Sequence, residues 1–224
     1  PIDGSLVELR VWRVLCGAGG NARLSEYVWK GIGLVVFQTL SGASAVMLYS
    51  TAILYDTAHD KHPSTPVVGA VIINSVHFLV TFVGWFVSDS WSRRLLLVVG
   101  FGVMTASLVS VTAALFAMSP SYLRDYVIVG LLSVFLGGYA FGPGIASHTV
   151  LSEMLPTRIR MRGMAIYMVI SFSLMLLLAL TTLSIAAAIS GKAGSTPAAS
   201  GYAVLFAFFA FFAAVGTIFS YFHP

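Results

Sequence analysis

Long apolar runs alternate along this chain with short connections rich in charge, glycine and proline. Six runs fall at approximately 31–55, 67–87, 95–118, 126–150, 163–189 and 202–222. Each reaches the roughly 20 residues that a helix needs to cross the hydrocarbon core of a bilayer. In lipid every backbone group must be paired internally, which leaves only helices and closed barrels. The runs lack the period-2 alternation of barrel strands, so the pattern predicts an all-α, polytopic membrane protein with six transmembrane helices. An even number of spans returns both ends to one side.

Composition agrees with this reading. Of 224 residues, 58% are hydrophobic and 9% charged, with a mean hydropathy of +0.93. A soluble domain charges about a quarter of its residues, so an ordinary cytosolic globule is excluded. The spans and connections consume the chain and leave no room for a separate catalytic domain. The single cysteine, Cys16, excludes an intrachain disulfide. Residues 1–10 lack the pattern of a signal peptide, and a chain opening on Pro1 without Met reads as the middle of a longer polypeptide.

The net charge of +4 says less as a sum than by its placement. Arg10, Arg13, Arg23 and Lys30 precede the first span, Arg93 and Arg94 lie in the second connection, and Arg158, Arg160 and Arg162 lie in the fourth. The opposite face holds Lys61, Arg124 and Lys192, offset by Asp56, Asp60 and Asp125. The positive-inside rule therefore places both ends in the cytoplasm. Within 5–16, Leu6, Leu9, Val14 and Leu15 interleave with Glu8, Arg10 and Arg13. Residues 1–28 are thus expected to be a cytoplasmic amphipathic helical linker ahead of a bundle at 29–224, although a solvated tail fits the pattern equally. His59 and His62 lie near Asp56 and Asp60, but no third strong ligand stands at metal spacing, so a solvated loop is expected.

Two spans carry breaks. The first contains Gln38-Thr39-Leu40-Ser41-Gly42-Ala43-Ser44, and the fourth contains Gly137-Gly138 followed by Phe141-Gly142-Pro143-Gly144. Glycine and proline inside a span free backbone groups that another helix or a water-lined cavity must satisfy, so such breaks mark solute paths. Their positions, three helices apart, suit a bundle built from two three-helix repeats. Packing through small residues is the competing explanation, less suited to Pro143 because proline also removes a donor.

These residues carry a resemblance. FQTLSGASAVMLYS (37–50) resembles the QQLSGINAVxYYS motif on the seventh helix of sugar porters of the major facilitator superfamily. VSDSWSRRLLLVVG (87–100) is similar to their D-x-x-G-R-R segment, with Ser92 in place of the glycine. GPGIASHTVLSEMLPTRIRMRG (142–163) is similar to their tenth helix, G-P, then Trp, then S-E-x-x-P-x-x-x-R-x-x-G. The resemblance implies that the six helices are numbers seven to twelve, the C-terminal bundle of a twelve-helix transporter. It also implies a partner for them, the N-terminal six-helix half or another membrane chain, within a lipid bilayer, with a plasma membrane favoured over an organelle.

The resemblance further assigns residues. Asp89, Arg93, Arg94, Glu153 and Arg160 fall at the charges that pair when family members close their cytoplasmic side. For solute binding, Gln38 keeps one family amide, while Thr39 and Ser44 stand where a second Gln and an Asn are usual. His77 takes the place of an Asn, with Asn74 one turn earlier, and His148 takes the place of the Trp. Ser171, Phe172 and Met175 fall where Asn, Trp and Asn are common, and Ala140 where a polar group is common. Paired amides suit sugars because each offers a donor and an acceptor to adjacent hydroxyls. Losing several amides leaves a hexose or sugar-like small polar solute as the default, moved by alternating access. The alternative is a degenerate, transport-inactive structural subunit of a larger membrane complex. No enzyme, cofactor, metal or nucleic-acid partner is expected: Ser147 lacks a nucleophile elbow, and Gly142-Pro143-Gly144 is no phosphate loop.

Overall fold

The computed structural model describes residues 22–57, 64–87, 91–118, 121–154, 160–192 and 199–222. Residues 1–21 of the linker expected at 1–28 lie outside the described residues, as do Asp89, Asp60, His59 and His62, while 22–28 form the start of the first helix. Among the described residues, six helical stretches are long and apolar enough to cross a membrane: Trp29–Thr57, Thr65–Val87, Arg93–Ala117, Tyr122–Glu153, Gly163–Thr182 and Gly201–Phe222. The first is built from α1 (Ala22–Leu40) and α2 (Ala43–Thr57). Then follow α3 (Ser64–Val87), α4 (Arg93–Ala117) and α5 (Tyr122–Tyr139), which runs through a π-helical segment, Ala140–Gly144, into α6 (Ile145–Met154). The last two are α7 (Arg160–Lys192) and α8 (Ala199–Phe222).

The core forms where α4 meets α5 and α8. Leu96, Phe101, Met104, Leu108 and Val111 recur at three- to five-residue spacing along one side of α4 and are fully buried. They pack with Leu132, Phe135 and Leu136 of α5 and with Phe206 and Phe209 of α8. By contrast α3 and α7 expose most of their large apolar side chains, including Phe78, Trp85 and Phe86 on one and Phe172, Leu177 and Leu180 on the other.

Polar side chains within the spans mostly fold back on their own helix. Thr57, Asn74, Thr81, Thr105, Ser110, Thr112, Ser133, Thr182 and Thr217 each donate to the carbonyl four residues earlier. This satisfies the side chain where no water is at hand.

At the end of the bundle where α2 stops and α5 and α8 start, side chains tie helices together. Ser121 caps α5 by accepting from the Arg124 backbone N–H. The Arg124 side chain is buried at 4% exposure and donates to the Thr57 carbonyl at 2.5 Å, while the Tyr202 hydroxyl donates to Asp56 Oδ2 at 2.7 Å. Thus the charge read from sequence as a loop cation is a buried strut closing the C-terminus of α2. Replacing it by methionine, Arg124→Met, keeps bulk but removes a charged hydrogen bond worth about 2 kcal/mol. A lowered thermal midpoint of the purified full-length protein in detergent is the expected result.

Candidate functional site

The two breaks take different forms. At the first, Ser41 N–H still reaches the Phe37 carbonyl at 2.9 Å, Gly42 N–H turns back to Thr39 at 3.2 Å, and Gly42 adopts φ +80°. That is the left-handed region, where a side chain is strained. The Phe209 ring also occupies the space a Gly42 Cβ would need. Ser41 Oγ donates to the Gln38 carbonyl at 2.6 Å, which secures one carbonyl exposed by the break.

At the second break Pro143 cannot supply a backbone donor, and the chain widens into the π-helical turn. Gly142 and Gly138 sit directly on Gly100 of α4. A Cβ built on Gly142 would stand 2.6 Å from the Gly100 Cα, and one built on Gly138 would stand 3.0 Å from Val103 Cγ1. Packing, the competing explanation for these glycines, is therefore present at the same residues as the break.

Between the breaks a polar cluster gathers from four spans. Gln38, one turn before Gly42, donates from Nε2 to the Tyr139 hydroxyl at 3.2 Å and accepts at Oε1 from the Tyr167 hydroxyl at 3.4 Å. Ser147, the first hydroxyl after the π-helical turn, is buried and donates to the Pro143 carbonyl at 2.5 Å. The next residue, His148, sets its ring edge-on to Tyr167 with centroids 5.1 Å apart. Its Nδ1 is buried and has no hydrogen-bond partner among the described residues. From α3, His77 stacks beside Tyr139 at 6.2 Å, and its Nδ1 lies 3.2 Å from the Leu136 carbonyl, to which it can only donate. Below the cluster, Tyr167 packs with Val35 and Leu151, with Ile32 and Met164 around them.

The other expected binding residues are placed variously. Thr39 is buried next to Gln38, Ser44 is partly buried at the start of α2, and Ser171 stands one turn beyond Tyr167. Asn74 turns its amide to the Ala70 carbonyl at 2.8 Å. It lines an open groove of about 710 Å³ between α2 and α3, together with Ser50, Thr51, Ser75 and Phe78. Of the expected cytoplasmic charges, Arg93 Nη2 lies 3.4 Å from Glu153 Oε1, joining the start of α4 to the end of α6. Both side chains are partly exposed, so the pair is worth about 1 kcal/mol or less and can be made and broken readily. Arg94 instead donates to the Tyr221 carbonyl at the end of α8 and lies 5.3 Å above its ring. Arg160 begins α7 and also has a partner.

Tyr139, Ser147 and Tyr167 were not among the residues expected to bind solute. Tyr139 gave one signal: it lies in mid-span, whereas membrane tyrosines favour the interfaces. Tyr167 stands near the start of its span, where a tyrosine is ordinary, and only the fold brings it to Gln38.

The sequence model of the family described as "Sugar (and other) transporter" matches residues 15–223. The chain is 29% identical over 171 residues to "Sugar transporter ERD6-like 11" of Arabidopsis thaliana, covering 71% of this chain and 35% of that protein. It is 26% identical over 138 residues to the "Galactose-proton symporter" of Escherichia coli (strain K12), covering 62% and 30%. A third relative, "Solute carrier family 2, facilitated glucose transporter member 3" of Canis lupus familiaris, is 29% identical over 135 residues, covering 60% and 26%. The matched stretch is about a third of the length of these relatives.

Proposed function

This chain belongs to the Sugar (and other) transporter family, and from that premise we propose that it is the C-terminal six-helix half of a transporter for a small polar solute, by default a hexose or related sugar. Transport proceeds by alternating access, with a second six-helix half closing the pathway. The observation that carries this reading is the convergence of both interrupted spans on one polar cluster, with a buried His148 Nδ1 that no described residue satisfies. A solute hydroxyl donating to or accepting from that nitrogen, and another at the Gln38 amide, complete hydrogen bonds the protein leaves open or long.

Support for a partner half comes from the groove between α2 and α3. Thr51 and Ser75 present exposed hydroxyls there, which are costly against acyl chains and favour protein or water as their neighbour. The placement of arginines at 93, 94 and 160 supports cytoplasmic ends, and a plasma membrane is the location we favour. One observation favours the second reading, a transport-inactive subunit: both ends of the Gln38 amide are already engaged by Tyr139 and Tyr167.

Uptake of radiolabelled hexoses by the full-length protein in a transport-deficient host separates the two. Saturable uptake is expected, with His148→Leu raising KM about tenfold, the loss of one hydrogen bond from a buried group. Absence of uptake across a panel of hexoses, pentoses and disaccharides, from protein shown to reach the membrane, would favour the structural subunit.

A further inference from the structure

The Tyr167 hydroxyl lies 3.4 Å from Gln38 Oε1 and 3.4 Å from Ser147 Oγ. Both are acceptors towards it. Oε1 is a carbonyl oxygen, and the Ser147 proton is committed to the Pro143 carbonyl at 2.5 Å. A phenol carries one proton and serves only one of them well at a time. Those acceptors belong to the two interrupted spans, Gln38 just before the first break and Ser147 just after the second. All three residues are buried, so whichever acceptor loses the proton has no water to replace it.

We propose that Tyr167 is a positioning residue that couples the two breaks through the orientation of a single O–H. With the cluster empty the proton is shared. When a solute hydroxyl donates to Gln38 Oε1, the Tyr167 O–H turns fully to Ser147 and tightens the Ser147–Pro143 link at the π-helical turn. No proton is transferred; the bond only rotates. This rests on the reading of the cluster as the solute site, and it adds how occupancy at the first break reaches the second.

The test uses purified full-length protein and hydrogen–deuterium exchange at 38–42 and 140–147, read together. Tyr167→Phe keeps the ring against His148, Val35 and Leu151 but removes the shared proton, so exchange is expected to rise at both segments, about threefold or more. Ser147→Ala leaves the proton wholly to Gln38, so exchange should rise at 140–147 and fall at 38–42. Tyr202→Phe, at the start of α8 where it meets Asp56 at the far end of α2, should move neither segment. Opposite signs at 38–42 are the signature that loosened packing does not produce. Equal acceleration at 38–42 in the Tyr167 and Ser147 variants, or no change at 140–147 in Tyr167→Phe, overturns the coupling. Exchange needs no solute, so a failure of uptake across the whole panel of hexoses, pentoses and disaccharides would overturn the transport reading and leave this result standing. Where hexose is taken up, Tyr167→Phe should also raise KM several-fold at unchanged membrane abundance.

Discussion

Gly142→Leu and Gly100→Leu should each prevent the bundle from assembling. At Gly100 a Cβ would meet the Gly142 Cα at 2.5 Å and the Pro143 Cδ at 2.8 Å; at Gly142 it would meet the Leu96 carbonyl oxygen at 2.7 Å. These are backbone and ring atoms, which cannot rotate aside as a leucine tip can. Relief requires α4 to move away from the π-helical turn, and that separates Leu96, Phe101 and Met104 from Leu132 and Leu136. Overpacking a core costs about 1–3 kcal/mol where side chains can yield, and more is expected where main chain faces main chain. Even alanine at either position should cost about 3 kcal/mol on that scale. Gly102 and Gly130 are the controls, because a Cβ at either meets nothing within 4 Å. Alanine there should be neutral or stabilising by about 0.5–1 kcal/mol through helix propensity. Monodispersity and thermal midpoint of the full-length protein in detergent give the comparison. Tolerance of leucine at Gly142 would contradict the contact.

The second large effect is expected at Gln38. Truncation to alanine removes the donor to Tyr139 and the acceptor for Tyr167, and it removes the amide proposed to face the solute. Two or three hydrogen bonds in a buried setting, at about 1–2 kcal/mol each, amount to roughly a hundredfold loss in Vmax/KM for hexose uptake. Gln38→Glu keeps the acceptor and the size but replaces the amide donor with an oxygen facing the Tyr139 oxygen. It should fall between wild type and alanine only if Tyr139 turns its own proton towards the carboxylate. Uptake kinetics normalised to membrane abundance measure both. Equal kinetics for wild type and Gln38→Ala would remove the cluster from the solute path.

The spans were legible because lipid makes apolar length decisive, and the observed helices agree with the runs to within a few residues apart from α1, which already starts at Ala22, well ahead of the run expected from 31. The breaks were legible because Ser41-Gly42 and Gly142-Pro143-Gly144 have few other uses inside a span. What sequence could not show is which side chains meet. Asn74 shares a helical face with His77, yet its amide is spent on the Ala70 carbonyl while His77 reaches Leu136 on α5. Tyr167 is a hydrophobic-run aromatic until α7 crosses α1. Arg124 reads as a loop charge until the end of α2 offers it a carbonyl. In each case the outcome depends on a neighbour more than 50 residues away in sequence or on a competing carbonyl one turn back.

The serine and threonine hydroxyls that close on carbonyls of their own helices have a consequence for permeation. A polar residue whose capacity is spent four residues upstream contributes bulk but little affinity, so a count of hydroxyls overstates how wettable the bundle interior is. Residues such as Thr105, Thr112 and Ser133 act as near-equivalents of valine or alanine in width. Hydrogen bonds between helices then gather at Gln38, Tyr139, Ser147 and Tyr167, with the His148 Nδ1 unpaired among the described residues beside them. On the proposed transport reading, a solute crossing this half would find its polar partners at that cluster, with apolar side chains to either side.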